Sequence, residues 1–188
     1  RLFHLVNRPN VMIKVPATGQ GVCAVRRLIG EGINVNVTLI FSQKNYRDVA
    51  NAYLEGLEIF SGKGGDLSRV HSVASVFVSR IDTDIDKHLD ARIVVEKDAA
   101  KKMLLTDLTG KAAIANSKMI YKAFKEIFSS ARFQSLKDRG AFVQKPLWAS
   151  TSCKNPSYPD LIYVEPLVGK DTVNTLPQNT WEALLAHG

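Results

Sequence analysis

Apolar and polar positions alternate along the chain with two different periods, one typical of strands and one typical of helices. Short apolar runs predict five strands, and stretches with apolar residues three or four positions apart predict five helices. The predicted strands are 11–15, 33–41, 70–78, 142–149 and 161–164, and the predicted helices are 19–32, 43–60, 84–102, 110–128 and 180–186. Strands and helices that alternate in this way indicate parallel βαβ units and an α/β fold.

The strands are almost continuously apolar, which predicts a parallel sheet covered on both faces. No G-x-G-x-x-G sequence follows the first strand, which weakens the case for a doubly wound dinucleotide fold. Polar residues instead stand inside the strands or at their carboxyl ends, where (β/α)₈ barrel enzymes keep their chemistry. These residues are Lys14, Asn36, Thr38, Ser75, Arg80 and Ser152. The pattern therefore favours a (β/α)₈ TIM barrel.

Lys14 lies in the middle of the first apolar run. Burial disfavours the charged ammonium and so favours a neutral amine, which attacks carbonyl carbons to form a Schiff base. The alternative is a lysine whose amine reaches solvent at the strand end. Asn36 and Thr38 stand two residues apart and share one strand face, where they would hold substrate hydroxyls or a water. A hydrogen-bonded polar pair in the core is the alternative there.

Ser75 and Phe77 share one face of the third predicted strand, and Arg80 follows at its end. The planar guanidinium of arginine suits a phosphate group, although a surface ion pair with Asp82 would explain Arg80 equally well. Ser152 and Lys154 follow the fourth strand in a run of small hydroxyl residues. Such a run resembles a phosphate cradle, and an ordinary polar turn is the alternative.

The chain carries a formal net charge of +7 and has a pI of about 9.5, which suits an anionic partner such as nucleic acid or a small phosphate. Its lysines fall mainly in helix-like stretches, and no basic motif interleaved with aromatic residues occurs, so nucleic acid is disfavoured. Two scattered cysteines indicate a reducing compartment. The four histidines lack metal-ligand spacing, and no apolar run is long enough to span a membrane.

Six segments, taken in order and at sensible spacing, resemble the transaldolase family over nearly the whole chain. They are residues 10–18, 32–42, 72–82, 147–151, 155–156 and 171–177. The stretch 110–115 is similar to the longer bacterial and plastid-type members. The resemblance implies that residues 1–188 form a single (β/α)₈ barrel domain that supplies strands four to eight. Strands one to three, with the family's Asp on strand one and Glu on strand three, would then lie outside this sequence.

The resemblance also implies a role for each candidate side chain. Lys14 would form the Schiff base and Thr38 would help to hold a catalytic water. Asn36, Ser75 and Phe77 would contact the sugar, while the phosphate would be held by Arg80, Ser152 and Lys154. Many relatives carry Arg where Lys154 stands, so the charge is retained there without the bidentate geometry.

The implied reaction moves a dihydroxyacetone unit from sedoheptulose 7-phosphate or fructose 6-phosphate to glyceraldehyde 3-phosphate or erythrose 4-phosphate, in the pentose phosphate pathway. It needs no metal and no cofactor, because the iminium is the electron sink. The expected partners are sugar phosphates, with no nucleic acid and no membrane, and the question of a homodimer stays open. The expected location is the cytoplasm, or a plastid in a plant. Another Schiff-base aldolase of the same fold and a catalytically inert barrel fragment are the alternatives.

Overall fold

The computed structural model describes residues 2–188, which form an α/β structure. The strands in this part of the chain are β1 (Ile13–Pro16), β2 (Val35–Ile40), β3 (Ser72–Phe77), β4 (Lys145–Ala149) and β5 (Val173–Asn174). The helices are α1 (Leu2–Val6), α2 (Gly19–Ile29), α3 (Gln43–Gly62), α4 (Ser79–Val95), α5 (Ala99–Asp107), α6 (Ala112–Phe128), α7 (Ala131–Lys137) and α8 (Gln178–His187). Short 3₁₀ turns occur at Leu67–Arg69 and Glu165–Leu167.

The first four predicted strands are confirmed, each shorter than predicted and the first ending one residue later, whereas the fifth is wrong. Residues 161–164 form a turn, in which the Val164 amide donates to the Leu161 carbonyl at 2.8 Å. The neighbouring side chains of Tyr163 and Val164 are both buried, whereas a strand places adjacent side chains on opposite faces. Because adjacent residues of this turn are buried, the segment is apolar and resembles a strand in sequence. The fifth strand lies further along the chain, at Val173–Asn174.

The helix predicted over 84–102 is two helices. Asp98 interrupts it, because its carboxylate accepts from the amides of Ala100 and Lys101 at 2.9 and 3.2 Å and so starts α5. Likewise, the Ser130 hydroxyl accepts from the Phe133 amide and starts α7, a helix that the sequence pattern did not predict. Local capping bonds thus divide the helices more finely than apolar spacing indicates.

The strands lie in the order β1-β2-β3-β4-β5. The β1–β2 and β2–β3 pairs are parallel, as the alternation of elements predicted. By packing, the chain divides into two compact units. Unit 1 comprises residues 1–76, 120–147 and 171–173, and unit 2 comprises residues 77–119, 148–170 and 174–188.

Unit 1 has a core between one face of its strands and the helices α2 and α3. Val35, Val37 and Ala74 on the strands are fully buried, as are Val25 on α2 and Tyr53 on α3. The hydroxyls of Thr18 and Ser42 cap α2 and α3 by accepting from the amides three residues ahead. The two helices approach closely at Gly56, where an added Cβ would lie 2.6 Å from the Cβ of Ile29.

Unit 2 is organised around the start of α4. The carboxylate of Asp82 is buried and accepts from the Ala113 amide at 2.7 Å, which joins α4 to the first turn of α6. In another part of the unit, the indole of Trp148 donates to the Leu167 carbonyl at 2.8 Å. Over residues 2–188, no helix combines the length and the apolar character needed to cross a bilayer.

Replacement of Gly56 by alanine tests the close approach of α2 and α3. Alanine favours the helical state, but the added methyl would meet the branched Cβ of Ile29 and the carbonyl of Arg26. We expect Gly56→Ala to lower the free energy of unfolding by about 1–3 kcal/mol, the usual cost of overpacking. Gly62→Ala, at the end of the same helix with nothing within 4 Å, should not destabilise. Urea unfolding in which both variants behave alike would contradict this packing.

The Glu58–Arg132 pair gives unit 1 a pH-dependent increment of stability. Both guanidinium donors reach the carboxylate, at 2.6 and 2.8 Å, and the hydrogen bond from Arg132 lowers the pKa of Glu58. A lowered folded-state pKa means stability that is present above the unfolded pKa and lost as the pH falls through the folded one. Because both side chains are about two-fifths exposed, we expect Glu58→Gln to cost about 0.2–1 kcal/mol at pH 7. A difference that persists below pH 3 would contradict the assignment.

Candidate functional site

Lys14 stands beside Asn36 in the parallel register of β1 and β2, and Pro16 stands beside Thr38 in the same register. Val15, Val35 and Val37 are buried on the side of the sheet that faces α2 and α3. Successive side chains of a strand point to opposite faces. The register and the pleat therefore place Lys14, Asn36 and Thr38 together on the other face of unit 1.

Ser75 extends this polar face to the third strand. Its hydroxyl donates to the side-chain oxygen of Asn36 at 2.7 Å, and Ser75 itself is 2% exposed. Because this hydrogen bond engages the amide oxygen of Asn36, the NH₂ group is the part of the side chain left to donate to a ligand oxygen. Three predicted residues, Lys14, Asn36 and Ser75, thus form a row across adjacent strands.

Thr38 follows in the same strand as Asn36 and is buried, yet its hydroxyl has no hydrogen-bond partner within residues 2–188. Leaving a buried hydroxyl unpaired costs about 1–3 kcal/mol, so such a group calls for a specific reason. Immediately after it, Leu39 has a φ of 61° and the β2–β3 register shifts between Val37 and Ile40. Bulges of this kind redirect side chains next to functional sites.

The bulge also corrects the predicted alternation of β2. A strand with a strict period of two would place Leu39 on the apolar face with Val35 and Val37. Instead Leu39 is 41% exposed, and the next residue, Ile40, is buried in its place. A left-handed residue advances the chain without continuing the pleat, so the inward face moves by one position. No glycine or asparagine occurs at residues 37–40, so the sequence does not predict this bulge.

The expected burial of Lys14 is wrong in the described part of the chain, where its side chain is exposed. The strand order explains this, since β1 lies at one end and pairs only with β2 among residues 2–188. The expectation of a sheet covered on both faces fails at the same place, because Pro16 is exposed and Asn36 is only half-buried. Residues 2–188 by themselves therefore do not remove water from around the Lys14 amine, as the predicted burial required.

Unit 2 carries the predicted phosphate residues. The guanidinium of Arg80 lies over the ring of Phe77, 4.8 Å from its centroid, so these two predicted residues are brought together. Arg80 is exposed in the first turn of α4, where the free amides of a helix favour anions. The alternative pairing of Arg80 with Asp82 is not observed in the described residues, since Asp82 is buried and bound to the Ala113 amide.

The loop after β4 is fixed where it begins. The Ser79 amide donates to the Ser150 carbonyl at 3.0 Å, and the hydroxyls of the same two residues are 3.0 Å apart. The buried Thr151 hydroxyl donates to Asn174 at 2.9 Å, and the next residue, Ser152, is also buried. Lys154 is exposed and borders a cavity of about 310 Å³. The other residues around this cavity are Ser79, Thr83, Asp86, Lys87, Asp90, Asn155, Tyr158 and Tyr163.

Two carboxylates of α4 have partners that the sequence pattern did not reveal. Asp86 accepts from the Gly110 amide at 3.0 Å and from the Tyr158 hydroxyl at 2.9 Å. Burial raises the pKa of Asp82, the first of the two. Asp82 and Asp86 are four positions apart, which places them on one helix face. This spacing is the only sequence signal for their role, and it fits an exposed acidic helix start equally well. Within residues 2–188, no three His, Cys, Asp or Glu side chains cluster as metal ligands.

Paired threonine substitutions separate a hydroxyl kept for function from one kept for stability. Thr38→Val removes a buried hydroxyl without a partner in residues 2–188, so we expect an unchanged or higher free energy of unfolding. Thr151→Val breaks a part-buried bond to the side-chain oxygen of Asn174, which should cost about 0.5–1.5 kcal/mol. Thermal and urea unfolding of both variants provide the comparison. Equal losses would show that Thr38 has an essential structural partner.

Comparison with known proteins gives a consistent result over the whole length. The family model described as Transaldolase/Fructose-6-phosphate aldolase matches residues 1–188. A transaldolase of Mycolicibacterium smegmatis is 52% identical over 187 residues, which cover 100% of this chain and 48% of the relative. A transaldolase of Thermobifida fusca is 51% identical and one of an Arthrobacter species is 50% identical, with 49% and 48% of those relatives covered. The chain spans about half the length of these curated relatives.

Proposed function

The chain belongs to the transaldolase/fructose-6-phosphate aldolase family, whose members are (β/α)₈ barrels, and we propose that the whole protein is a transaldolase. It would transfer a dihydroxyacetone unit from sedoheptulose 7-phosphate or fructose 6-phosphate to an aldose phosphate, as a step of the pentose phosphate pathway in the cytoplasm. In this proposal residues 1–188 supply strands four to eight of a single barrel domain. The relatives at about 50% identity, all named transaldolase, support the transferase over a simple aldolase.

One observation of the structure supports this function most directly, namely the row of Lys14, Asn36 and Ser75 on adjacent strands. Lys14 pairs in register with Asn36, which accepts from Ser75 at 2.7 Å. An amine beside an amide donor and a hydroxyl matches a ketose, in which a carbonyl stands between two hydroxyl-bearing carbons. The proposal therefore assigns the carbonyl carbon to Lys14 and the neighbouring hydroxyls to Asn36 and Ser75.

The exposure of Lys14 sets a condition on this assignment. The curated transaldolases that the chain matches are about twice as long as the chain. We propose that the remaining length of such a protein covers the polar face of unit 1 and removes water from around the amine. Desolvation would then favour the neutral amine that attacks a carbonyl.

The proposed reaction proceeds in balanced steps. The neutral Lys14 amine adds to the ketone carbon, and the resulting carbinolamine takes up one proton and loses water to give an iminium. A base outside this chain takes the proton of the C4 hydroxyl, the C3–C4 bond breaks, and its electron pair moves into the iminium to form an enamine. The aldose phosphate departs, an acceptor aldehyde enters, and the steps reverse until water releases the product. Thr38, whose buried hydroxyl has no hydrogen-bond partner within residues 2–188, would orient that water.

The proposed ligands of the phosphate group are on α4 and on the loop after β4. Arg80 offers a planar donor at the start of α4, and Ser152 and Lys154 belong to the loop after β4. Phe77 would form a wall of the pocket and hold the Arg80 guanidinium through its ring face. The reaction would need no metal and no organic cofactor, because the iminium accepts the electron pair.

Substitution of Lys14 tests the assignment in the full-length protein. Arginine keeps the positive charge and cannot form an imine, so we expect Lys14→Arg to lower kcat by at least about 10³-fold, because a covalent step is lost. The fold should persist, because the apolar core of unit 1 lies on the opposite face of the strands from Lys14.

Lys145→Arg is the matched control, because Lys145 is also an exposed strand lysine. It should leave turnover unchanged. The assay follows transfer from fructose 6-phosphate to erythrose 4-phosphate, and release of glyceraldehyde 3-phosphate without an acceptor would identify an aldolase instead. Wild-type turnover in Lys14→Arg would refute the role of Lys14.

A further inference from the structure

We propose that Asp86 and Tyr158, supported by Asp82 and Tyr163, position the phosphate-binding loop relative to the start of α4. These four residues are called the aspartate–tyrosine clamp below. The inference rests on the proposed function, because it gives the clamp a role in binding the substrate phosphate. The clamp residues do not themselves contact the phosphate in this proposal, so they are positioning residues.

The loop that carries Ser152 and Lys154 needs an anchor at each end. Its first residue, Ser150, has a φ of 57° and is held by the amide and the hydroxyl of Ser79. Ser79 is the first residue of α4 and directly precedes Arg80. The start of the loop is thus bonded to the same helical turn that carries the proposed phosphate ligand.

The far end of the loop returns to α4 through Tyr158. Its hydroxyl donates to Asp86 at 2.9 Å, a bond that joins residues 72 positions apart in sequence. The other oxygen of Asp86 accepts from the Gly110 amide at 3.0 Å, so the carboxylate is held in place before it meets the tyrosine. Lys154 lies between the two attachment points and borders the same cavity as Tyr158.

Asp82, one helical turn before Asp86, and Tyr163 support this arrangement. Both side chains are buried, at 1% and 2% exposure, and the Asp82 carboxylate accepts from the Ala113 amide at 2.7 Å. Tyr163 borders the same cavity as Asp86 and Tyr158. Burial, together with the nearby Asp82 carboxylate, raises the pKa of Tyr163 well above its ordinary value, so its hydroxyl remains a donor. Asp82 and Asp86 thereby fix α4 against the start of α6 and against the segment that follows the loop.

Loosening one end of the loop should weaken phosphate binding and leave the covalent chemistry intact. A loop that is free to move loses conformational entropy when the phosphate orders it, which reduces affinity. In Tyr158→Phe we expect KM for fructose 6-phosphate to rise about tenfold, the equivalent of about 1.4 kcal/mol. Activity towards unphosphorylated fructose, which gains nothing from the loop, should stay unchanged.

The test uses the full-length protein and compares Tyr158→Phe and Asp86→Asn with Tyr46→Phe. Tyr46 is the matched control, because its hydroxyl is buried and has no partner within residues 2–188. Kinetics with fructose 6-phosphate and with fructose, and inhibition by inorganic phosphate, are measured for each variant. The proposal predicts a higher KM and weaker phosphate inhibition in both clamp variants only.

Two results would overturn the clamp. One is an unchanged KM for fructose 6-phosphate, and the other is an equal loss on both sugars together with a lower Tm, which a merely structural role would produce. Failure of the proposed function would be seen separately, as a wild-type protein without turnover. Direct titration with inorganic phosphate would then still decide the clamp, since wild-type affinity in Tyr158→Phe would overturn it.

Discussion

The parallel register of β1 and β2 is the constraint on which the rest of the account depends. It sets Lys14 beside Asn36, and the hydrogen bond from Ser75 then fixes the amide of Asn36 between them. A shift of one residue in β1 would move Lys14 to the helix-covered side, where Val15 and Val37 are buried. The packing of those valines against α2 and α3 therefore determines which side chains reach the polar face.

Function and stability are separated between the two faces of the strands in unit 1. The helix-covered face is apolar and buried, and the two helices that cover it pack so closely that Gly56 leaves no room for a methyl group beside Ile29. The other face holds a buried hydroxyl without a described partner at Thr38 and an exposed amine at Lys14. The buried hydroxyl of Thr38, which lowers stability in residues 2–188, thus lies where chemistry is proposed, as is usual for functional sites.

Sequence reasoning succeeded where the physical cause is local. Four strands and the helices α2, α3 and α6 followed from apolar spacing, and the alternation of elements gave the parallel pairing. The false strand at 161–164 arose because neighbouring side chains are buried together in a turn, which periodicity cannot distinguish from a short buried strand. The bulge at Leu39 has no sequence signal, because its left-handed backbone is imposed by the surrounding sheet.

The candidate site was predictable from the sequence to about the same extent as the fold. Residues on one strand face, such as Asn36 and Thr38, follow from a period of two, and the contact of Arg80 with Phe77 follows from their short separation. The bond from Tyr158 to Asp86 was not predictable, because the partners are 72 residues apart and acids on a helix usually face solvent. Lys14 is exposed among residues 2–188 because β1 pairs only with β2 there, an edge position that apolar spacing does not reveal.

Borohydride trapping of the full-length protein with fructose 6-phosphate tests the central claim most directly, because reduction makes an imine permanent and peptide mass spectrometry locates it. The account predicts one adduct, carried by the peptide that contains Lys14, and its loss when inorganic phosphate competes with the substrate. An adduct on a different lysine, or no adduct from a folded protein that binds the sugar phosphate, would contradict it.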